Sequence, residues 1–175
     1  MNYDTQDWID CRRCGLHQGR TQVVQYRGVI PAPIVFVGEA PGMAEDLTGL
    51  PFIGPAGMLL DEILEIVELE LDRPLTYAVT NIVCCLPKSG GSLRQPRPSE
   101  IAACSDRLVA FLNAAQPDLI VLIGATARQT FNGIIEVSGI RCIHILHPAA
   151  ILRMDENQVV AVHKAAATII NALEE

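Results

Sequence analysis

PIVFVG, residues 33–38, runs straight into GEAPGMAED, residues 38–46. The first segment is short, β-branched and nearly continuously apolar, the pattern of a parallel strand covered on both faces. The second packs two glycines, a proline and three carboxylates into nine positions, more apparatus than a reversal of direction requires. Three other segments read as strands of the same kind: YAVTNIV (77–83), DLIVLIG (118–124) and RCIHIL (141–146). Between them the apolar period lengthens. AGMLLDEILEIVELE (56–70) sets Leu59, Leu60, Ile63, Ile66 and Val67 on one helical stripe, with acids opposite. PSEIAACSDRLVAFLNAA (98–115) opens with a helix-starting Pro-Ser pair, ATARQTFNG (125–133) is stopped by Asn-Gly, and NQVVAVHKAAATIINALEE (157–175) closes the chain. Strands alternating with helices predict an α/β fold, a mainly parallel sheet with helices on both faces. In such sheets ligands bind beyond the carboxyl ends of the strands. GEAPG follows the first strand, Asn81 sits late in the second, and HPAAILR (147–153) follows the fourth. Three polar constellations from distant parts of the chain are therefore expected on one rim.

The chain has 175 residues, half of them hydrophobic, and a net charge of −7. That length suits a single domain, residues 1–175, able to bury a core. No apolar run approaches the ~18 residues that cross a bilayer, so no membrane partner is expected. The acidic opening MNYDTQDWID (1–10) is unlike a secretory or transit peptide, and a soluble, cytoplasmic monomer is the expectation. The negative balance argues against a non-specific coat protein of nucleic acid, but the charge is uneven. Asp61, Glu62, Glu65, Glu68, Glu70 and Asp72 crowd one helical stretch and read as a solvated face. KSGGSLRQPR (88–97) carries Lys88, Arg94 and Arg97 without an acid, and is either an ordinary surface loop or a phosphate contact.

The cysteines number 6, many for a chain read as cytosolic, where metal binding or catalysis is a better prior than disulfides. Cys11 and Cys14 form a C-x2-C pair, Cys84 and Cys85 end the second strand, and Cys104 lies in the following helix. Cys142, inside the last strand, reads as a small buried thiol. Four thiolates drawn from three places would fasten the N-terminal arm to the domain, and zinc or an iron–sulfur cluster satisfies the count equally.

With these residues in view, the sequence resembles the iron–sulfur-containing uracil-DNA glycosylases of bacteria and archaea, called family four. The likeness is carried, in order, by CRRCGLHQGRTQVV (11–24), VFVGEAPGMAEDLTGLPFIGPAGMLLDEIL (35–64), TNIVCCLP (80–87), SEIAACSDRL (99–108), PDLIVLIGATA (117–127) and HPAAILR (147–153). It implies a three-layer α/β/α sandwich around a four-stranded parallel sheet, with an N-terminal cluster-binding arm. It implies hydrolysis of the N-glycosidic bond of uracil in DNA, leaving an abasic site. It also implies a structural [4Fe–4S] cluster on Cys11, Cys14, Cys85 and Cys104, with Cys84 as an extra thiol; zinc is the alternative.

Removing a base builds positive charge on the sugar and negative charge on the departing ring, and the base must be read after extrusion from the stack. The family's motif positions suggest how these tasks are shared. Phe52, in GLPFIG, would stack on the base; the alternative is a core phenylalanine, although Pro51 and Gly54 suit a loop. Asn81 offers a donor beside an acceptor, the complement of uracil O4 and N3–H. His147 would donate to uracil O2 as a neutral imidazole. Glu39 would orient the hydrolytic water, with Glu45 as second candidate; a helix cap is the alternative for Glu45 or Asp46. Ala40 stands where other uracil glycosylases place a water-holding aspartate. Gly38, Ala40, Pro41 and Gly42 would bring backbone close to the base and deoxyribose. Leu152 would fill the vacated stack, and Arg153, Lys88, Arg94 and Arg97 would contact phosphates. Three features depart from the family pattern: CCLPKSGG lacks the usual basic residues around the third cysteine, the chain between FNGI and HPAAILR is short, and the overall charge is acidic. Rival readings are a non-catalytic module of the same fold that binds uracil-containing DNA or a protein, and a glycosylase for another modified base.

Overall fold

The computed structural model describes residues 3–134 and 139–175; the short loop before the last strand falls largely outside the described residues. A central sheet takes β1 (Tyr26–Gly28), β2 (Ile34–Gly38), β3 (Tyr77–Asn81), β6 (Leu119–Ile123) and β7 (Arg141–Ile145), while β4 (Lys88–Ser89) and β5 (Ser92–Leu93) form a separate hairpin. The sheet order is β1-β3-β2-β6-β7. The β3, β2, β6 and β7 strands are parallel, as the four apolar runs predict, and β1 adds an antiparallel edge against β3. This fifth strand has no apolar signature. It is three residues long and ends at Gly28, whose φ of +93° lets its backbone lie against Tyr77.

Alternate residues of the central strands feed two cores. Val35, Val37, Ile120 and Leu122 face Leu108, Phe111 and Leu112 of α4 (Pro98–Ala115) and Phe131 of α5 (Ala125–Ile134). Ile34, Phe36, Val121 and Ile123 face Leu60, Ile63 and Val67 of α3 (Pro55–Leu71) and Ala165, Ala166 and Ile169 of α7 (Gln158–Glu174). Three layers result, and both long helices α3 and α4 begin with proline at the first turn, where its missing N–H costs nothing. Their carboxyl ends close on left-handed residues, Asp72 and Gln116. The acids of α3 are largely exposed as expected, although Asp61 pairs with Arg27 of β1 and Glu68 accepts the Leu75 N–H. No helix among the described residues is long and apolar enough to cross a membrane.

One expectation is corrected. Cys142 is exposed rather than buried, because β7 is an edge strand whose residues Arg141, Cys142 and His144 are open to solvent. Short helices that lack a long apolar period were not legible: α1 (Gln6–Ile9), α2 (Met43–Thr48), α6 (Pro148–Ile151) and a 3-10 turn over Gly15–Gln18. Two of these, α2 and α6, carry residues that face the cavity described next.

Candidate functional site

β2 ends at Gly38, β3 at Asn81, β6 runs into Gly124 and β7 into His147, so every parallel strand delivers a residue to the same rim. Between them lies a cavity of about 280 Å³ lined by Glu39, Pro41, Gly42, Phe52, Asn81 and His147, with Ala40, Glu45, Ala56, Pro87, Leu93, Arg94 and Ala149 completing its wall. The predicted pocket residues Gly38, Glu39, Ala40, Pro41, Gly42, Phe52, Asn81 and His147 thus come together from four parts of the chain. Gly38 sits beneath them and pairs with Asn81 in the sheet.

Gly38 is glycine for a steric reason. A Cβ there would overlap Asn81 Oδ1 and lie 2.5 Å from Phe52 Cζ. Phe52 itself adopts φ +54°, rare for a bulky residue. The backbone of the Phe52 loop rests on Gly57, where any Cβ would collide with the Phe52 carbonyl. The result is a phenyl ring that is buried but belongs to a loop, stacked beside His147 with centroids 5.9 Å apart and planes tilted by 29°.

Glu45 holds this loop to the turn after β2. Its carboxylate accepts the Gly42 N–H at 3.1 Å, the Ile53 N–H at 3.2 Å and the Gly54 N–H at 3.0 Å. The capping alternative for Glu45 is therefore realised and extended into a clamp between two segments. Its neighbour Asp46, buried, accepts the Thr21 N–H on both oxygens at 3.0 Å, tying in the N-terminal arm. Glu39, in contrast, reaches the cavity with no hydrogen bond or ion pair on its carboxylate among the described residues, while its carbonyl accepts the Val83 N–H.

Asn81 is 1% exposed, and its Oδ1 has no partner among the described residues. A buried amide oxygen left unpaired is unfavourable; this one lies over Gly38, in a side chain that lines the cavity. His147 caps α6: its Nδ1 accepts the Ala149 N–H at 3.1 Å. That bond fixes the tautomer with the proton on Nε2. Burial, reinforced by the nearby Arg153 charge, holds the imidazole below the usual histidine range and so keeps it neutral. Gly124, at φ +87°, lies against His147, where an added Cβ would come within 3.0 Å of the His147 Cβ.

The candidate DNA contacts divide. Leu152, Arg153, Lys88 and Arg97 are exposed, with Arg153 beside a second hollow that shares Glu39 and His147 with the main cavity. Arg94 is committed: it grips Glu100 through two hydrogen bonds, 2.8 and 2.6 Å, and that grip holds the Glu100 carboxyl below its ordinary range. Arg94 lines the cavity all the same.

The thiols gather behind β3. Cys85 accepts a hydrogen bond from Arg20 at 3.3 Å. Burial pushes it up to about 11 against the pull of Arg20, with Cys104 and Cys14 adding negative charge nearby. Burial likewise raises Cys14, next to Cys104, Glu100 and Cys11. Cys84 is fully buried and raised by burial, its thiol donating to the Gln25 carbonyl at 3.9 Å, while the neighbouring Cys104 is lowered by Cys84 beside it and by the Arg107 charge. Cys11, Cys14, Cys85 and Cys104 thus share one neighbourhood, although no three His, Cys, Asp or Glu side chains among the described residues converge tightly enough for a single ion. Such an all-sulfur donor set is of the kind that holds zinc or an iron–sulfur cluster.

Sequence reasoning missed Arg107. It sits on the apolar stripe of α4 with Leu108 and Phe111, 2% exposed, and donates to Thr80 and to the Asn81 carbonyl. An arginine on a buried helical stripe was the available signal.

A model of the uracil DNA glycosylase superfamily matches residues 26–173. The chain is 40% identical over 162 residues to a type-4 uracil-DNA glycosylase of Thermotoga maritima, covering 85% of this chain and 81% of the relative. Its namesake from Archaeoglobus fulgidus is 40% identical over 163 residues, 82% of this chain and 79% of the relative. One from Sulfurisphaera tokodaii is 42% identical over 120 residues, 68% and 52% of the two chains.

Proposed function

The chain belongs to the uracil DNA glycosylase superfamily, and from that premise we propose that it hydrolyses the bond between uracil and deoxyribose in DNA, leaving an abasic site for repair. The observation that carries this reading is the pairing of an unsatisfied Asn81 Oδ1 with a tautomer-locked His147 across one base-sized cavity.

In that cavity an extruded uracil lies on Phe52, and Asn81 accepts N3–H and donates to O4. Cytosine, with an acceptor at N3 and a donor at C4, meets like against like and is rejected. As the C1′–N1 bond breaks, its electron pair passes to the base and charge gathers on O2. His147 Nε2–H, held neutral, donates a hydrogen bond to that oxygen without protonating it. The Glu39 carboxylate faces the sugar, favours its cationic character, orients a water toward C1′ and takes the water's proton as the new C–O bond forms. Glu45 acts as a positioning residue for the turn and the Phe52 loop. Leu152 fills the gap in the stack while Arg153, Lys88 and Arg97 meet phosphates. Arg94 lends its paired charge to the pocket rim.

Cys11, Cys14, Cys85 and Cys104 would hold a [4Fe–4S] cluster, which when bound supplies structural cross-linking of the arm. Partner DNA, monomeric state and cytoplasmic residence complete the reading.

The test is incubation with a uracil-containing oligonucleotide followed by alkali. Strand scission by the wild type, strongly reduced in His147→Ala and Asn81→Ala, is the expected result. Equal scission by both variants and the wild type would sink the assignments. Retained tight binding to uracil-containing DNA without scission would favour a non-catalytic module.

A further inference from the structure

Arg107 heads the fully buried side chains by volume. Its Nη1 donates to Thr80 Oγ1 at 2.8 Å, and Nη2 donates to the Asn81 carbonyl and, at 3.4 Å, to that of Ile82. Three consecutive residues at the end of β3 are thereby fixed by one guanidinium. Thr80 passes the tie on, donating to the Gln25 carbonyl at 2.6 Å. Yet none of the ion pairs found among the described residues includes Arg107, and its Nε has no hydrogen-bond partner there.

A guanidinium stays charged at any physiological pH, and burying it without a counter-charge is strongly unfavourable. The acidic groups that act on it are Cys84, Cys104 and Tyr3. Tyr3 spends its proton on a 2.6 Å bond to Gln25 Oε1 and so remains a phenol. Cys84 lies in the core, outside the ligand set. Cys104 is three residues before Arg107 on α4, hence on the same face, and a metal-bound thiolate is permanently anionic.

We propose that Arg107 is the internal counter-ion of the thiolate centre and, through its grip on the Asn81 carbonyl, the positioning residue that sets the base-reading amide. The two centres are then one unit: the charge that makes the thiolate cluster tolerable inside the protein also aims Asn81. This deepens the uracil reading and rests on it. A purely structural Arg107 would affect every variant alike, whereas one that acts through Asn81 matters only while the Asn81 amide is present.

Arg107→Lys keeps the charge but replaces the planar fork by a point charge that cannot span Thr80 and two carbonyls. Arg107→Met keeps bulk and removes the charge. Each is made in the wild type and in Asn81→Ala, and three quantities are read: visible absorption with iron per chain, the rate of bleaching by an iron chelator, and kcat/KM on a uracil oligonucleotide. Arg107→Lys is expected to hold iron and bleach within about twofold of wild type, to lose about tenfold or more in kcat/KM, and to lose less than about twofold when Asn81 is already alanine. Arg107→Met is expected to bleach several-fold faster. An undiminished Arg107→Lys loss in the Asn81→Ala background overturns the positioning role, and wild-type bleaching by Arg107→Met overturns the counter-ion role. Should Arg107→Met not fold, Arg107→Lys in the two backgrounds still decides the positioning role, and Arg107→Gln, neutral but polar, takes its place in the chelator measurement, where wild-type bleaching again overturns the counter-ion role. A wild type inert on uracil DNA would instead defeat the functional reading, leaving the chelator arm to judge the counter-ion.

Discussion

Asn81 and His147 do opposite things with one kind of group, a nitrogen or oxygen that a folded protein normally satisfies internally. Asn81 Oδ1 is left without a partner among the described residues, whereas His147 closes Nδ1 on Ala149 and keeps its proton on Nε2. Removing the Asn81 amide should cost about 1–3 kcal/mol of transition-state binding, roughly five- to 150-fold in kcat/KM. His147→Ala should lower kcat by about a hundred- to a thousandfold. Because the folded His147 pKa lies below its unfolded value, its neutral form persists as pH falls through the ordinary histidine range. Activity should therefore hold down to the depressed pKa, while folding stability declines once the unfolded histidine begins to take up protons, below about pH 6.5. Arg153 contributes to the depression, so Arg153→Ala should move the acid limb of kcat/KM toward higher pH. An unmoved limb would show that burial alone sets it. Phe52, Asn81 and His147 were legible as residues, since each is an unusual type at the end of an apolar strand or in a Gly-Pro loop. The role of Glu45 was legible only as an alternative, because its three backbone donors come from two loops whose approach no sequence period announces.

At the scale of elements, the site depends on approaches too close for a side chain. Gly38→Ala should leave α3, α4 and the sheet intact by circular dichroism yet abolish most activity, since its methyl would occupy the space of Asn81 and Phe52. Full activity in that variant would mean that the Phe52 loop is looser than its packing indicates. The long elements were legible because their periods are clean: five buried residues in a row for β2 and β6, and a stripe for α3. β1, α2, α6 and the β4–β5 hairpin were not, being too short to show a period. A similar limit misled the assignment of Cys142, since an apolar run alone does not distinguish a central strand from an edge.

Over the whole molecule, an acidic chain keeps Lys88, Arg97 and Arg153 exposed, with Arg153 beside the hollow that shares Glu39 and His147, while the acids of α3 lie on another element. Replacing Lys88 or Arg153 by alanine should weaken DNA binding and lower the slope of log affinity against log salt by about one for each phosphate no longer neutralised. An unchanged slope would remove that residue from the interface. The N-terminal arm crosses from the thiols to α2, held by Arg20 on Cys85 and Thr21 on Asp46. Stripping the proposed cluster should consequently loosen residues 3–25 to proteolysis and depress activity together. The most direct measurement is the structure of the protein with abasic DNA and free uracil. The ring should lie on Phe52, with N3–H and O4 at the Asn81 amide, O2 within hydrogen-bond reach of His147 Nε2, and Glu39 facing C1′. Uracil bound elsewhere, or seated in the cavity without Asn81 and His147, would contradict the assignment of this cavity as the base-excision site.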